Sequence, residues 1–129
     1  MIIAVDFDGT CVGHLYPDVG PDVPGCVDTL KRLAADGHRL ILYTMRSGRL
    51  LEEALWWSRN RGITWWGVNQ NPEQHTWTES PKVYAHVYID DAAYGCRLHE
   101  HPSARVRRPC VDWTLIYETV SALDRKPSP

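Results

Sequence analysis

Residues 2–10 read IIAVDFDGT, an apolar run that ends abruptly in two closely spaced acidic residues. The unbroken, β-branched start is typical of a strand buried on both faces of a parallel sheet. Asp6 and Asp8 lie two positions apart, so both carboxylates can face one pocket if the chain stays extended. Gly9 permits a tight turn after them, and Thr10 adds a hydroxyl group. The stretch therefore predicts a strand with a reactive loop at its carboxyl end.

Other segments share the apolar character of this first strand, namely residues 39–43, 65–68 and 86–89. Helical patterns lie between them, one from near Pro24 to Gly37 and one over about 49–61, and Asp112 is expected to cap a last helix. Strands that alternate with helices imply right-handed crossovers. We therefore predict an α/β fold, a three-layer α/β/α sandwich around a doubly wound, mainly parallel sheet.

The chain of 129 residues has the length of one globular domain. We expect a single domain over residues 1–124, with residues 11–23 as a flap loop and residues 125–129 as a frayed tail. Residues 69–81 and 92–110 are rich in proline, glycine, histidine and polar residues, which predicts further loops at the same edge of the sheet.

The composition excludes several classes of protein. A net charge of -2 and a pI near 6.3 give no general attraction to nucleic acid or to acidic membranes. No apolar run reaches the roughly 20 residues that span a bilayer, and Asp6 interrupts the N-terminal run too early for a signal peptide. The four cysteines are widely spaced, which predicts free thiols. We therefore expect a cytoplasmic protein without a membrane partner, for which nucleic acid is disfavoured.

Reactive side chains stand next to the predicted strand ends, which a parallel sheet brings to one edge. Asp6 and Asp8 follow the first strand, Thr44 follows the second, and Lys82 and Asp90 flank the last. Asp6 can act as a carboxylate nucleophile that forms an aspartyl-phosphate, while Asp8 supplies and recovers a proton. Thr44 and Lys82 can hold the phosphoryl oxygens.

A metal ion is expected at the same place. A carboxylate can approach a phosphate dianion only if a cation neutralises the repulsion. Magnesium prefers octahedral oxygen coordination and keeps several waters, so the carboxylates of Asp6 and Asp90, a backbone carbonyl at Asp8 and waters would suffice. The residues thus predict a Mg²⁺-dependent hydrolase of phosphate monoesters, whose phosphorylated substrate the sequence does not identify.

The order of these motifs resembles the haloacid dehalogenase-like superfamily. Its four motifs have counterparts in DFDGT (residues 6–10), LYT (42–44), Lys82 and YIDD (88–91). The resemblance covers roughly residues 1–95. It implies the same nucleophile, acid/base and phosphate-holding residues as the reading from charge, with Asp90 as a magnesium ligand and Asp91 behind it.

Both intervals at which cap domains enter such proteins are short in this chain. It therefore looks most like the small, capless hydrolases of the superfamily, in which residues 11–23 can form only a flap. Gly9 and Thr10 are further candidate substrate contacts. Arg46 stands where small residues are common in the superfamily, which makes it a candidate contact of the phosphate or the leaving group.

Two other classes of protein remain open. A receiver-like phosphoacceptor domain also uses clustered Asp, Thr and Lys, but its phosphorylated aspartate would follow a middle strand of the chain. A non-catalytic binding module would use a surface of aromatic and basic side chains, here Trp56, Trp57, Trp65, Trp66, Trp77, Arg59 and Arg61. The excess of tryptophan also predicts a homo-oligomer, with Trp56, Trp57, Trp65 and Trp66 at its interface.

Overall fold

The computed structural model describes residues 1–125. Four short parallel strands form one sheet: β1 (Ile2–Val5), β2 (Arg39–Leu42), β3 (Gly67–Val68) and β4 (Val87–Ile89). The helices are α1 (Cys26–Ala35), α2 (Gly48–Asn60), α3 (Ile116–Asp124) and a short 3₁₀ helix (Gln74–Thr76). Two further strands, β5 (Leu98–His99) and β6 (Cys110–Val111), form a separate antiparallel pair. The predicted α/β class with a mainly parallel sheet is confirmed.

β1 lies inside the sheet, in the spatial order β3-β2-β1-β4, because its side chains are apolar on both faces. Ala4 stands opposite Ile41 of β2 and opposite Tyr88 of β4. The chain leaves β1 in one direction through β2 and β3, then returns to the other side of β1 as β4. The direction of winding therefore switches between β1 and β4, which is where open α/β sheets bind ligands.

The main core lies between the helices and one face of the sheet. Side chains alternate between the faces of a strand. The alternate residues Ile3, Val5, Leu40 and Leu42 share one buried cluster with members of all three α-helices, among them Leu30, Ala54, Trp57 and Val120. The steps from β1 to β2 and from β2 to β3 run in one direction, so right-handed crossovers place α1 and α2 on the same face.

The other face is covered by the connection from β3 to β4, residues 69–86. Tyr88 lies on this face, and its hydroxyl donates to the Val83 carbonyl at 2.5 Å. The buried Gln74 side chain organises the connection through hydrogen bonds with the backbone of Ser80, Lys82 and Tyr84. The structure describes the whole of this connection, and it holds only the 3₁₀ helix where a third, α-helical layer would stand.

Element boundaries differ from the prediction mainly in the second half of the chain. Asp112 does not cap the last helix: its carboxylate accepts hydrogen bonds from the amide and hydroxyl of Thr114 and forms a turn, and α3 begins at Ile116. Residues 126–129 of the tail predicted at 125–129 lie outside the described residues. Within residues 1–125, no helix has the length and apolar character that crossing a bilayer requires.

Candidate active site at the carboxyl edge of the sheet

Asp6 follows β1 directly and lies between the residues that follow β2 and β4. The Tyr43 amide donates to the Val5 carbonyl at 2.8 Å, and the Asp6 amide donates to the Ile89 carbonyl at 2.9 Å. The parallel pairing therefore continues one residue beyond the strands. Neighbouring strands lie about 4.8 Å apart. Asp6, Tyr43 and Asp90 thus form a row across the edge of the sheet.

Three carboxylates meet at the switch point of the sheet. Asp6, Asp90 and Asp91 each offer an oxygen, and these atoms all lie within 4.8 Å of one another. Burial raises the pKa of Asp6 to about 8, and a hydrogen bond with Asp91 and the negative charges of Asp90 and Asp91 add to the shift. A cation would relieve this crowding, and carboxylate oxygens are ligands that Mg²⁺ prefers. The donor set therefore fits a hard divalent cation.

Gly9 and Thr10 join the loop after β1 to the loop after β4. Gly9 has a φ of 83°, and a Cβ atom there would lie 2.3 Å from Oδ2 of Asp91, so only glycine leaves that carboxylate its place. The Thr10 hydroxyl donates to Oδ2 of Asp6 at 3.1 Å and accepts from the Asp91 amide at 3.2 Å. Both residues are buried. They are internal links between the two loops, and their predicted contact with the substrate stays a prediction.

Arg46 is buried and bound to Asp8. Its Nε donates to Oδ2 of Asp8 and its Nη2 to Oδ1, both at 2.8 Å, while the Arg46 side chain is 0% exposed. The same guanidinium donates to the carbonyls of Asp18 and Leu50. Protein oxygens therefore accept hydrogen bonds from all three nitrogens of the guanidinium. This position corrects the prediction that Arg46 contacts the substrate, because a ligand cannot reach it in this arrangement.

Asp8 is separate from the acidic cluster. Its side chain is 12% exposed and both of its oxygens accept from Arg46. Arg46 thus holds the predicted acid/base in a fixed orientation. The metal contact predicted at Asp8 is its backbone carbonyl. Its carboxylate is bound to Arg46.

Thr44 lies after β2 and is held by two partners. Its amide donates to Oδ1 of Asn69 at 2.8 Å, and its hydroxyl accepts from the Arg46 amide at 3.1 Å. The hydroxyl hydrogen of Thr44 stays available to a ligand. Asn69 has a φ of 54°, a left-handed conformation that asparagine tolerates. Asn69 was not predicted from the sequence, where its only signal is an asparagine directly after a short strand.

Lys82 lies on the connection that covers the second face of the sheet. Its ammonium stands 6.0 Å from the centre of the Tyr88 ring. Across residues 1–125, no carboxylate lies within 4.0 Å of this ammonium. Lys82 therefore lies near Tyr88, two positions before Asp90, and makes no direct contact with the acidic cluster.

Fold and site together define an α/β protein with a mainly parallel sheet and an acidic cluster at its switch point. No protein-family model and no curated protein matches the chain. Among solved structures, it is similar to a conserved protein coded by a locus of Bacteroides thetaiotaomicron, with 41% sequence identity and a TM-score of 0.77. The match covers 95% of this chain and 91% of that one. The chain therefore belongs to the same family as that conserved protein.

Proposed function

We propose that this chain is a Mg²⁺-dependent hydrolase of phosphate monoesters, with Asp6 as its nucleophile. The observation that carries the proposal is the cluster of Asp6, Asp90 and Asp91 directly after the central strands, at the switch point of the sheet. Membership of the haloacid dehalogenase-like superfamily, in its capless form, is part of the proposal. It rests on the four motifs and on their positions at the strand ends.

Asp6 would attack the phosphorus atom through one carboxylate oxygen. A bond forms between that oxygen and phosphorus, and the bond from phosphorus to the ester oxygen breaks, with its electron pair on the leaving alcohol. Asp8 would give this oxygen a proton, a step for which at least one of its two hydrogen bonds from Arg46 has to open. In the second step Asp8 takes a proton from water, the water oxygen bonds to phosphorus, and the Asp6 carboxylate is released.

The acidic cluster would hold the magnesium ion. When bound, the ion would supply the positive charge that lets an anionic nucleophile approach an anionic phosphate. The same charge would favour the ionised form of Asp6, whose pKa burial raises to about 8 in the metal-free protein. Asp6, Asp90 and Asp91 provide the oxygen ligands, and the Gly9 position leaves room for Asp91.

Thr44 and Lys82 would bind the phosphoryl oxygens. The Thr44 hydroxyl already accepts from the Arg46 amide, so its own hydrogen can point toward the phosphate. Lys82 is exposed and carries its charge on a flexible four-carbon side chain. The ammonium has to rotate away from the Tyr88 ring to approach a phosphoryl group at Asp6.

Hydrolysis of a generic aryl phosphate with and without Mg²⁺ tests the proposal. We expect activity that chelation removes, and a loss of at least about a thousandfold in Asp6→Asn. Asp28→Asn is the matched control, because Asp28 is exposed in the first turn of α1. Equal activity after exhaustive chelation would remove the metal from the proposal, and undiminished turnover in Asp6→Asn would mean that another residue attacks.

The same assay separates the two alternative classes. A receiver-like phosphoacceptor would accumulate phosphoaspartate without turnover, and a binding module would do neither. The structure weakens the binding module that used the α2 surface, because Trp57 is buried and Arg61 is bound to Asp22 at 2.8 Å.

A cytoplasmic location is also proposed. The four cysteines, Cys11, Cys26, Cys96 and Cys110, are free thiols, as is usual in a reducing compartment. Burial raises the pKa of Cys11, Cys96 and Cys110, which makes these thiols less reactive.

A further inference from the structure

A groove of about 300 Å³ opens on the sheet face that carries Tyr88. Its walls include Trp77, Ser80, Lys82, Tyr84 and Tyr88, and we call it the aromatic groove. The proposed reaction gives these aromatic rings no role. The volume is at the lower end of the range for ligand sites and is enough for a small ring system.

The near end of the aromatic groove adjoins the acidic row. Tyr88 precedes Asp90 by two residues, so both side chains project from the same face of the sheet. Tyr43, the neighbour of Asp6 in the row, has its ring centre 6.4 Å from that of Tyr88. Two residues of a strand span about 7 Å. The groove therefore begins about 7 Å from the row of Asp6 and Asp90, toward the start of β4.

The far end of the groove presents rings to solvent. Trp77 is 62% exposed and meets Tyr84 edge to face, with ring centres 5.4 Å apart. Tyr84 in turn meets His86 edge to face at the same distance. An edge-to-face contact covers one face of only one ring of each pair, so other ring faces stay free, and a free aromatic face is what a planar ligand stacks on.

The charge of the groove indicates an anionic ligand. Its cation is Lys82, whose ammonium has no carboxylate partner within 4.0 Å in the described part of the chain. An ammonium beside stacked rings suits a molecule that carries both a phosphate and a planar ring. A short alkyl phosphate would reach Lys82 but would leave the rings uncovered.

We propose that the aromatic groove binds the planar ring of a phosphate monoester whose phosphate lies at Asp6, so that the substrates are nucleotide-like. The placement of the phosphate rests on the proposed function. Along β4, Tyr88 lies about 7 Å from the acidic row, which exceeds the reach of a ring bonded directly to the ester oxygen. It fits a ring joined to the phosphate through a spacer of the size of a sugar.

Kinetics with three esters tests this inference in the presence of Mg²⁺. The substrates are adenosine 5′-monophosphate, glucose 6-phosphate and glycerol 2-phosphate, of which only the first has a planar ring. In Trp77→Ala, we expect kcat/KM for the nucleotide to fall about tenfold relative to that for glycerol 2-phosphate, because stacking on one ring is lost. Trp56→Ala is the matched control, since Trp56 is 63% exposed but lies on α2.

A ratio in Trp77→Ala that equals the ratio in Trp56→Ala would overturn the inference. An equal relative loss for glucose 6-phosphate would also overturn it, because the groove would then not distinguish planar rings. Retention of the effect in Trp77→Phe would support stacking over a purely structural role of the tryptophan.

Calorimetric binding of adenosine 5′-monophosphate to Asp6→Asn, with and without Trp77→Ala, separates this inference from the proposed function. If the wild-type protein hydrolyses no ester but binds the nucleotide, and Trp77→Ala weakens that binding about tenfold, the proposed reaction is contradicted and ring binding in the groove is supported. If glycerol 2-phosphate is hydrolysed while Trp77→Ala leaves nucleotide binding unchanged, ring binding in the groove is contradicted and the proposed reaction is supported.

Discussion

At the scale of single residues, Arg46 is the charge most enclosed by protein. Its partner Asp8 accepts two hydrogen bonds at 2.8 Å, and the rings of Phe7 and Tyr16 stand 5.0 and 5.4 Å from its guanidinium carbon. Removal of one member of such a pair leaves the other charge buried without compensation. The pair therefore fixes both the orientation of Asp8 and the loop around it.

We expect Arg46→Met to lower the free energy of unfolding by about 3–5 kcal/mol, the usual cost of breaking a buried pair from one side. Arg49→Met is the control, because Arg49 is 86% exposed and its pair with Glu53 spans 3.7 Å on the surface of α2. Urea unfolding measures both variants. A loss in Arg46→Met as small as that in Arg49→Met would contradict the assignment of a buried, structural pair.

Asp6 makes the stability of the metal-free protein depend on pH. Its pKa rises from 3.8 to about 8 on folding, mainly through burial, so the folded state holds the proton more tightly than the unfolded state. The stabilisation linked to this proton is fully present below about pH 4. It is lost progressively as the pH rises through the window up to about 8.

Asp6→Asn has no proton to lose at this position. In the presence of chelator, we expect its Tm to exceed that of the wild-type protein near pH 8 by at least about 4 °C, which is close to 1 kcal/mol for a chain of this size. The difference should shrink toward pH 4. Thermal unfolding from pH 4 to 9 measures it, and a difference that does not change with pH would show that Asp6 does not titrate in this window.

At the scale of elements, the flap is tied to α2 through Asp22. Oδ1 of Asp22 accepts from the Trp57 indole and Oδ2 from Nε of Arg61, both at 2.8 Å. Hydrogen bonds between the backbones of Gly13 and Pro21 and of Cys11 and Val23 hold the two ends of the flap together. Residues 11–23 thus form an ordered part of the structure beside Asp8 and Arg46.

Replacement of Asp22 by alanine should loosen the flap. It leaves the indole N–H of the buried Trp57 without its acceptor, a loss of about 1–3 kcal/mol. We expect faster hydrogen–deuterium exchange of the backbone amides of residues 11–23, while exchange in β1 stays slow. Asp28→Ala, on the exposed side of α1, serves as the control, and equal exchange of the flap in the two variants would contradict the tether.

Elements with an apolar run or helical spacing could be predicted from sequence, and two-residue strands within polar loops could not. The strands β1, β2 and β4 and the helices α1 and α2 follow from apolar runs and helical spacing with glycine at the ends. β5 and β6 have two residues each, too few to show an alternating pattern. Asp112 has the chemistry of a helix cap, but its turn with Thr114 ends before α3 begins.

The candidate site divides in the same way. Asp6, Asp90 and Asp91 could be predicted to meet because the topology of a parallel sheet brings strand ends together. The partners of Arg46, Thr10 and Asn69 could not, because an arginine in a loop usually lies in solvent and its burial depends on tertiary contacts. Topology therefore fixes where the reactive groups gather, and packing decides which of them a ligand can reach.

At the scale of the whole molecule, the tryptophans do not form the exposed patch that self-association was predicted from. Trp57 is 3% exposed and packs edge to face on Phe7, and Trp65 donates to the Ser58 hydroxyl at 2.8 Å. Trp66 is partly buried beneath the Arg39 guanidinium. Trp56 is the one member of that set with most of its surface exposed.

We therefore expect a monomer of 14.8 kDa with an open site in sedimentation velocity at micromolar concentration. A single exposed tryptophan is common on monomeric proteins and does not by itself mark an interface. A stable dimer that Trp56→Ala dissociates would contradict this expectation and restore the predicted interface.

Covalent trapping shows whether Asp6 attacks phosphorus. The protein is mixed with Mg²⁺ and a phosphate monoester, treated with borohydride during turnover to reduce any acyl phosphate, and digested for peptide mass analysis. We expect conversion of Asp6 to homoserine, which chelation before mixing and Asp6→Asn both prevent, while Asp8, Asp90 and Asp91 stay unmodified. Turnover of the ester with Asp6 unmodified, or with the reduced side chain at another aspartate, would contradict it.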